Sequence, residues 1–319
     1  MKYSFVIPCY RSEKTISGVV EEIKQTAVKE NITDYEIILV NDCSPDGVWE
    51  VIDALAREDY HIKGIDLVRN FGQHAALLAG YSRCTGDYIV SLDDDGQTPV
   101  NELRKLIDKL EEGNDVVYAY YEKIQRSAFR QMGTAISLMM CRFILGAPKD
   151  FNASSFYIAK RIIIDEMIKY KNAFPFIAGL ILRTTRKIGY VPTTHRARAE
   201  GTSGYSIKRL VSLWLNGLTA FSVKPLEISS IIGFILAVLG FIGVIATAVN
   251  KLIHPEVLEG WSSIISVVCF IGGIQLMMLG LIGEYIGRIY ICINNSPQYV
   301  IRQETDSNDR SGCEHNENN

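Results

Sequence analysis

Hydrophobic and polar positions form two alternating patterns along the N-terminal part of the chain. Short apolar runs rich in Val, Ile and Tyr predict five strands: Tyr3–Pro8, Glu36–Asn41, Ile62–Val68, Asp87–Leu92 and Asp115–Ala119. Between the first two runs, apolar residues recur at the spacing of one helix face: Ile16, Val19, Val20, Ile23 and Ala27. A second helical pattern covers Pro99–Glu112. Such alternation is typical of an α/β fold with a doubly wound, mainly parallel sheet.

Two long uncharged stretches follow this alternating region. Ile228–Val249 contains no charged residue, and at 1.5 Å per residue it would reach about 33 Å, enough to cross a bilayer core of about 30 Å. A second uncharged stretch runs from Ser262 to Ile282. Two buried core helices are the alternative interpretation. Because the stretches lie close together and are rich in Gly and Ile, we instead predict a hairpin of two transmembrane helices, at about 228–249 and 262–283.

These patterns divide the chain into four parts. We predict a soluble domain at 1–205, an interfacial amphipathic helix at 206–225, two transmembrane helices within 226–290 and a tail at 291–319 that is disordered from about Gln303. Lys and Arg are abundant before the first apolar stretch, whereas the linker Asn250–Trp261 offers only Lys251. By the positive-inside rule, the large domain and the C-terminus are cytoplasmic, on a multi-pass protein of the cell's inner membrane. The strand-like start of the chain indicates no signal peptide.

Composition and charge narrow the classes of function. The 319 residues carry 33 Lys and Arg against 36 Asp and Glu, and 48% of them are hydrophobic. This balance is unlike that of a nucleic-acid binder that relies on bulk charge, so we predict no nucleic-acid partner. The seven cysteines are scattered without a CxxC pair, which argues against a zinc ribbon or a disulfide framework.

Polar residues collect directly after three of the predicted strands. They are Tyr10 and Glu13 after the first, Asp42 and Ser44 after the second, and Asp93, Asp94, Asp95 and Gln97 after the fourth. Carboxyl ends of parallel strands meet at one sheet edge, where ligands bind in doubly wound folds. Each group alone could be a turn or a helix-capping loop. Their coincidence favours a ligand site.

The acidic run suggests a metal. Alternate residues of an extended segment share a face, so Asp93, Asp95 and Gln97 could present two carboxylates and an amide oxygen together. Such hard oxygen ligands suit Mg²⁺ or Mn²⁺, a metal that substrate phosphates commonly complete. A solvated acidic turn is the alternative. Neither a GxGxxG nor a GxxxxGK[ST] motif is present, so the sequence supports no Rossmann dinucleotide site and no P-loop.

Three segments, FVIPCYRSEKTI, EIILVNDCSPDG and YIVSLDDDGQTP, resemble those of family 2 glycosyltransferases with the GT-A fold. With LGLIGEYIGRIY near the end, after the two apolar stretches, the chain to about residue 302 resembles the polyisoprenyl-phosphate glycosyltransferases. That group includes dolichol-phosphate mannose synthases and bacterial undecaprenyl-phosphate sugar transferases. The resemblance implies a glycosyltransferase that moves a sugar from a nucleotide sugar to a membrane polyprenyl phosphate.

The resemblance also implies roles for individual residues. It assigns the metal to Asp93, Asp95 and Gln97, and the nucleotide to Pro8, Tyr10, Glu13, Asp42, Asp93 and Asp94. The acceptor phosphate is assigned to Arg126, Ser127, Arg130, Thr134, Ser203 and Tyr205, and the catalytic group to Asp95, Arg126, Arg130 and Arg198. Two positions depart from the family pattern. Ala119-Tyr120-Tyr121 stands where many relatives have an Arg, so Lys123 or Arg126 could contact the diphosphate instead, and Gly204 stands where many have a Lys.

The chemistry of this reaction explains the need for a metal and for arginines. The acceptor phosphate is already an anionic nucleophile, so the main difficulty is to bring two anions together. A divalent metal and Arg side chains reduce that repulsion, and in-line attack would invert the anomeric centre. Only the resemblance favours UDP over GDP, and homo-oligomerisation stays open. The alternatives are a processive polysaccharide synthase, whose QxxRW motif is absent, and a membrane-anchored scaffold with a degenerate transferase domain.

Overall fold

The computed structural model describes residues 1–121, 151, 153–172, 175–194, 224–253, 260–294 and 297–305. The chain divides into two units, one formed by Met1–Ser206 with Asn295–Asn319 and the other by Ile207–Asn294. The predicted acceptor segment from Arg126 to Thr134, the loop from Arg198 to Tyr205 and the predicted interfacial helix up to residue 223 lie outside the described residues.

The first unit is built on an eight-stranded sheet. Its strands are β1 Tyr3–Cys9, β2 Tyr35–Asn41, β3 Ile62–Leu67, β4 Tyr88–Ser91, β5 Val116–Tyr121, β6 Tyr157–Lys160, β7 Ile188–Thr193 and β8 Ile301–Glu304. They lie in the order β7-β5-β6-β4-β1-β2-β3-β8. The first five match the five strands predicted from the sequence to within two residues at each end.

The sheet is parallel at its centre and mixed at its sides. β1 pairs in parallel with β2 and β4, and β2 pairs in parallel with β3. β6 is antiparallel to both β4 and β5, whereas β5 and β7 are parallel. The carboxyl ends of β1 to β4 therefore meet at one edge, as predicted. Because β6 runs the other way, the residues that precede it reach the same edge.

Helices cover the sheet and bury their apolar faces against it. They are α1 Ile16–Lys29, α2 Val48–Glu58, α3 Gln73–Tyr81, α4 Leu103–Glu111, α5 Arg161–Ile168 and α6 Ile177–Thr184. The predicted faces are confirmed, since their residues are at most 3% exposed: Ile16, Val19, Val20, Ile23 and Ala27 in α1, and Leu103, Leu106, Ile107 and Leu110 in α4. A short 3₁₀ turn, Val100–Glu102, starts the segment predicted from Pro99.

One buried carboxylate joins the start of the central strands. Glu36 in β2 is 2% exposed, and it accepts hydrogen bonds from Ser4 Oγ over 2.6 Å, Lys63 Nζ over 2.8 Å and the Thr85 backbone N–H over 2.6 Å. Burial alone would raise the pKa of Glu36, but these hydrogen bonds outweigh it and lower the pKa from 4.5 to about 2. The carboxylate thus links β1, β2 and β3.

The end of the chain corrects one expectation. The prediction of disorder from about Gln303 is wrong for Gln303 and Glu304, because both lie in β8 and pair antiparallel with β3. The reason is that β3 would otherwise be an edge strand with unpaired backbone groups, which an extended polar segment can satisfy.

The second unit contains two long helices, α7 Lys224–Ile253 and α8 Trp261–Ile293. Both extend beyond the predicted spans, and large apolar side chains such as Phe234 and Phe270 are 72% and 62% exposed. Among the described residues, Phe270–Ile293 is the one segment long and apolar enough to cross a membrane, while Ile231–Gly243 is a shorter apolar stretch. The two helices of the predicted hairpin are therefore present, and one of them meets the criterion for a span.

Candidate active site

Loops that follow β1, β2, β3 and β4 meet at the carboxyl edge of the sheet and are joined by hydrogen bonds. The first two loops bond to each other directly. The Arg11 N–H donates to Ser44 Oγ over 2.7 Å, the Glu13 N–H donates to Asp46 Oδ2 over 3.1 Å, and the Gly47 N–H donates to Glu13 Oε2 over 3.1 Å. Glu13, predicted to bind the nucleotide, therefore holds the loop after β2.

Both of these loops contain left-handed backbone close to the strand ends. Arg11 has φ 60° and Cys43 has φ 49°. Non-glycine residues in this region are uncommon and are concentrated in turns and functional sites. The surrounding hydrogen bonds hold this conformation in place. Arg11 also lies over the Tyr10 ring, 5.6 Å from its centroid, and Tyr10 is 39% exposed at this edge.

Asp42 orders the loop after β3. Its Oδ1 accepts the Phe71 N–H over 2.7 Å and its Oδ2 accepts the Gly72 N–H over 2.9 Å. Gly72 has φ +90°, a conformation that favours glycine, immediately before α3. Burial raises the pKa of Asp42, although the two N–H donors lower it. Asp42 was predicted to bind the nucleotide, but both of its carboxylate oxygens accept hydrogen bonds from this loop.

Asp94 connects the acidic loop to the loop after β1. Its Oδ2 accepts the Tyr10 N–H over 2.9 Å, and its carbonyl oxygen accepts the Thr15 hydroxyl over 2.6 Å. Burial raises the pKa of this carboxyl group, against the hydrogen bond from Tyr10. Asp94 therefore fixes the backbone beside the exposed Tyr10 ring.

Asp93 is held by two side chains from other elements. Gln73 at the start of α3 donates from Nε2 to Asp93 Oδ1 over 2.9 Å, and the Ser155 hydroxyl donates to Asp93 Oδ2. Burial, together with the charges of Asp95 and Asp94, raises the pKa of Asp93 to about 6, although the bonds from Ser155 and Gln73 lower it. Ser155 reaches this position because it precedes the antiparallel strand β6.

Asp95 lies in a turn. The Gln97 N–H donates to Asp95 Oδ1 over 3.0 Å, and Gly96 between them has φ +70°. The segment therefore turns where the alternation argument assumed an extended chain. Asp95 and Gln97 are both partly exposed at the edge of the sheet.

The acidic loop has the type of oxygen ligands that a divalent cation prefers, but the described side chains do not form a complete metal site. No group of three or more His, Cys, Asp or Glu side chains within the described ranges is arranged to hold a metal ion. Three consecutive carboxylates nevertheless concentrate negative charge, and the charges of Asp94 and Asp95 contribute to the raised pKa of Asp93. Hard oxygen ligands of this kind suit Mg²⁺ or Mn²⁺ when phosphate oxygens complete the shell.

The remaining predicted residues fall into two groups. Pro8 is buried inside β1 opposite Val40 of β2, so its side chain is not offered to a ligand. The predicted acceptor and catalytic basic residues lie outside the described ranges: Arg126, Ser127, Arg130, Thr134, Arg198, Ser203 and Tyr205. Sequence reasoning missed Gln73, Ser155 and Asp46, which hold the loops at this edge.

Comparisons with known proteins agree with this architecture. By structure, the chain is similar to glucosyl-3-phosphoglycerate synthase from Mycobacterium tuberculosis, crystallised with Mn²⁺, uridine-diphosphate-glucose and phosphoglyceric acid. The TM-score is 0.51 at 18% sequence identity, over 69% of this chain and 79% of that one. The fold is thus that of GT-A glycosyltransferases.

By sequence, residues 4–169 match the family model "Glycosyl transferase family 2", and residues 224–289 match the "GtrB C-terminal hairpin". The chain is 34% identical to undecaprenyl-phosphate 4-deoxy-4-formamido-L-arabinose transferase of Yersinia pestis, over 100% of this chain and 96% of that protein. It is 33% identical to the glycosyltransferase YkcC of Bacillus subtilis, over 95% and 94% of the two chains. The chain therefore belongs to glycosyl transferase family 2, and it is a glycosyltransferase.

Proposed function

We propose that this enzyme transfers a monosaccharide from a nucleotide sugar, a UDP-sugar in preference to a GDP-sugar, to the phosphate of a membrane polyprenyl phosphate. The observation that carries the proposal is the hydrogen-bonded set of loops around Asp93–Asp95 at the carboxyl edge of β1 to β4. Full-length similarity to an undecaprenyl-phosphate sugar transferase supports the lipid acceptor. The match to the C-terminal hairpin model supports it as well.

The donor nucleotide lies against the loops after β1 and β2 in this proposal. Tyr10 offers an exposed aromatic face to the base. Glu13 and Asp42 act by holding the loops in shape, since their carboxylates bond to Gly47, Phe71 and Gly72. Bound Mg²⁺ or Mn²⁺ would neutralise the donor diphosphate and stabilise it as a leaving group. Asp95 would hold the metal with Asp93 and Gln97 nearby.

The acceptor phosphate is assigned to basic residues whose roles rest on the family resemblance. Arg126 and Arg130 bind this phosphate together with Ser127, Thr134, Ser203 and Tyr205. Arg198 is assigned to the catalytic group. A phosphate oxygen attacks the anomeric carbon as the bond to the diphosphate breaks on the opposite face, so the configuration inverts. The arginines lower the repulsion between the two anions, and positioning accounts for most of the remaining rate.

In this proposal the reaction takes place at a membrane. Helices α7 and α8 cross the bilayer as a hairpin, and the sheet-containing unit is cytoplasmic together with the C-terminus. The exposure of large apolar side chains on both helices supports the membrane location. The excess of Lys and Arg outside the linker supports the orientation.

The test is a donor screen with the purified full-length chain. Radiolabelled UDP- and GDP-sugars are incubated with undecaprenyl phosphate in detergent, with Mn²⁺, with Mg²⁺ or with EDTA. We expect label in the lipid extract with one donor and loss of transfer with EDTA. The product should have the mass of the lipid phosphate with one added sugar, and its anomeric configuration should be inverted relative to the donor. Polymeric product would favour a processive synthase, and no incorporation with any donor would favour a scaffold.

A further inference from the structure

A buried carboxylate near the end of β3 contacts both the end of β2, which leads into a loop proposed to bind the nucleotide sugar, and the C-terminal strand β8. Asp66 is 2% exposed. Its Oδ1 accepts a hydrogen bond from Asn41 Nδ2, the last residue of β2, over 2.8 Å. Its Oδ2 faces β8, where Arg302 Nη1 lies 3.5 Å and Gln303 Nε2 3.4 Å away. Arg302 Nη2 also donates to the Val68 carbonyl over 3.0 Å.

The same hydrogen bonds continue into the candidate active site. Asn41 Oδ1 accepts the Ser44 N–H over 3.0 Å, and Ser44 Oγ accepts the Arg11 N–H over 2.7 Å. An amide group has one donor end and one acceptor end, so the bond to Asp66 determines which end meets Ser44. If the Asn41 amide turned over, its NH₂ would face the Ser44 N–H and both donors would lose their acceptor.

We propose that Arg302 and Gln303 of β8 are positioning residues for the donor site. They fix the Asp66 carboxylate, which fixes the Asn41 amide and through it the loops that carry Ser44 and Arg11. We call this series of contacts, from Arg302 and Gln303 through Asp66 and Asn41 to Ser44 and Arg11, the relay. A buried carboxylate is unfavourable without its charged partner, so the position of the Asp66 carboxylate depends on β8. This inference rests on the proposed function only in naming the ligand of those loops as a nucleotide sugar.

A purely structural role for β8, that of covering the edge of β3, makes a different prediction. Glu304 in the same strand forms an ion pair with Arg83 Nη2 over 2.8 Å and does not contact Asp66 in the described structure. Glu304→Gln therefore weakens the attachment of β8 without touching the relay, which makes it the matched control. If β8 only covered the edge, both kinds of variant would have the same effect.

The experiment compares the full-length wild type with Arg302→Met/Gln303→Leu, Arg302→Lys and Glu304→Gln in detergent. We expect the double variant to raise the KM for the nucleotide sugar about five- to tenfold, the effect of losing about one ordinary hydrogen bond, because Arg302 and Gln303 act through Asp66 and Asn41 and not on the ligand itself. The kcat and the KM for polyprenyl phosphate should stay within about twofold. Arg302→Lys, which keeps the positive charge, should retain most of the affinity for the nucleotide sugar, and Glu304→Gln should resemble the wild type.

Hydrogen exchange provides a readout that does not need turnover. The exchange is compared at temperatures equally far below the melting temperature of each variant. There the backbone amides of Ser44 and Arg11 should exchange faster in the double variant than in Glu304→Gln. Unchanged exchange and unchanged donor KM, or equal effects in Glu304→Gln, would overturn the inference. If the double variant does not fold, Gln303→Leu alone is measured in the same way with the same expected direction. A wild type that transfers no sugar would refute the proposed function, while the exchange data would still decide the relay.

Discussion

Asp93, Asp94 and Asp95 are adjacent in the chain but make different contacts. Asp93 accepts hydrogen bonds from Gln73 and Ser155, and Asp94 accepts the Tyr10 N–H. Asp95 accepts a bond from Gln97 within its own turn. The first two therefore join separate loops, whereas Asp95 lies where a ligand can add to its contacts. Substitutions at the three positions should have different effects.

Replacement of Asp95 tests the metal assignment. We expect Asp95→Ala to lower kcat/KM by at least about a hundredfold, because the developing charge on the leaving diphosphate loses its Lewis acid. The melting temperature should stay within about 2 °C, since Asp95 lies in a partly exposed turn. Asp108→Ala, which removes a half-exposed carboxylate paired with Arg104 on α4, is the control and should retain full activity. Wild-type-like transfer by Asp95→Ala would refute the assignment.

Replacement of Ser155 tests whether the orientation of Asp93 matters. Ser155→Ala removes one of the two side-chain donors to Asp93, and we expect about a tenfold loss in kcat/KM, as for one hydrogen bond to a charged group. Ser154→Ala is the matched control, because the Ser154 hydroxyl accepts the Phe156 N–H and has no described bond to Asp93. Steady-state kinetics on both variants decide the question. Equal losses would mean that the segment before β6 acts only through its fold.

Replacement of Arg130 tests the acceptor assignment. We expect Arg130→Ala to raise the KM for polyprenyl phosphate about tenfold or more, because a charge-assisted bond to phosphate is lost, while donor affinity changes little. Arg104→Ala removes a half-exposed positive charge on α4 and serves as the control. Separate titrations of donor and acceptor provide the measurement. A collapse of donor affinity with normal acceptor kinetics would show that the roles are misassigned.

Residues that contact the site but lie far from it in the sequence were not predictable. The aspartates follow a recognisable strand, so their place at the sheet edge could be predicted. Gln73 and Ser155, by contrast, lie 20 and 62 positions away from Asp93. Nothing in their local sequence marks them as its partners, because pairing depends on the direction of β6 and the start of α3.

At the scale of elements, local patterning predicts what packs into the core, and tertiary pairing decides the rest. β1 to β5 were predictable because their apolar runs form the buried sheet. β8 has the sequence IRQE, with one apolar residue, and it exists because the edge of β3 accepts a partner. β6 and β7 likewise depend on pairing with β4 and β5, which lie far away in the chain.

The junction of β1, β2 and β3 at Glu36 gives a pH prediction. The folded pKa of about 2 lies below the ordinary value of 4.5, so the ionised carboxylate stabilises the fold above pH 4.5, and this contribution is lost as the pH falls toward 2. We expect Glu36→Gln to lower the free energy of unfolding by on the order of 2–3 kcal/mol at pH 7, a difference that shrinks below pH 4.5.

Urea titration followed by circular dichroism at pH 7 and pH 3.5 measures this difference. Glu111→Gln is the control, since Glu111 is an exposed carboxylate at the end of α4, and it should change stability by less than about 0.5 kcal/mol. A Glu36→Gln deficit that is the same at both pH values would show that the hydrogen-bond geometry matters and the charge does not.

At the scale of the whole molecule, the chain combines a sheet unit that has a buried apolar core with helices that expose apolar surface. In the sheet unit the large apolar side chains are mostly buried, whereas Phe234, Leu252, Phe270 and Leu276 on the helices are 62% to 82% exposed. Apolar surface of this extent is unfavourable in water at about 25 cal/mol per Å² and is relieved in lipid. This exposed apolar surface lies in the residues that match the C-terminal hairpin model, 224–289, whereas the family 2 match covers residues 4–169.

The lipid location can be tested at one position of α8. Leu276 is 71% exposed and lies in the segment Phe270–Ile293. A carboxylate near the middle of a membrane-spanning helix costs about 2.5–3.5 kcal/mol, so Leu276→Asp should lower the fraction of protein that resists extraction with alkaline carbonate, while Leu276→Phe should not. The sheet unit should keep its fold in both variants, as judged by nucleotide binding. If wild type and Leu276→Asp were both recovered from the soluble fraction without detergent, α8 would not be a membrane helix, and the lipid acceptor would lose its structural support.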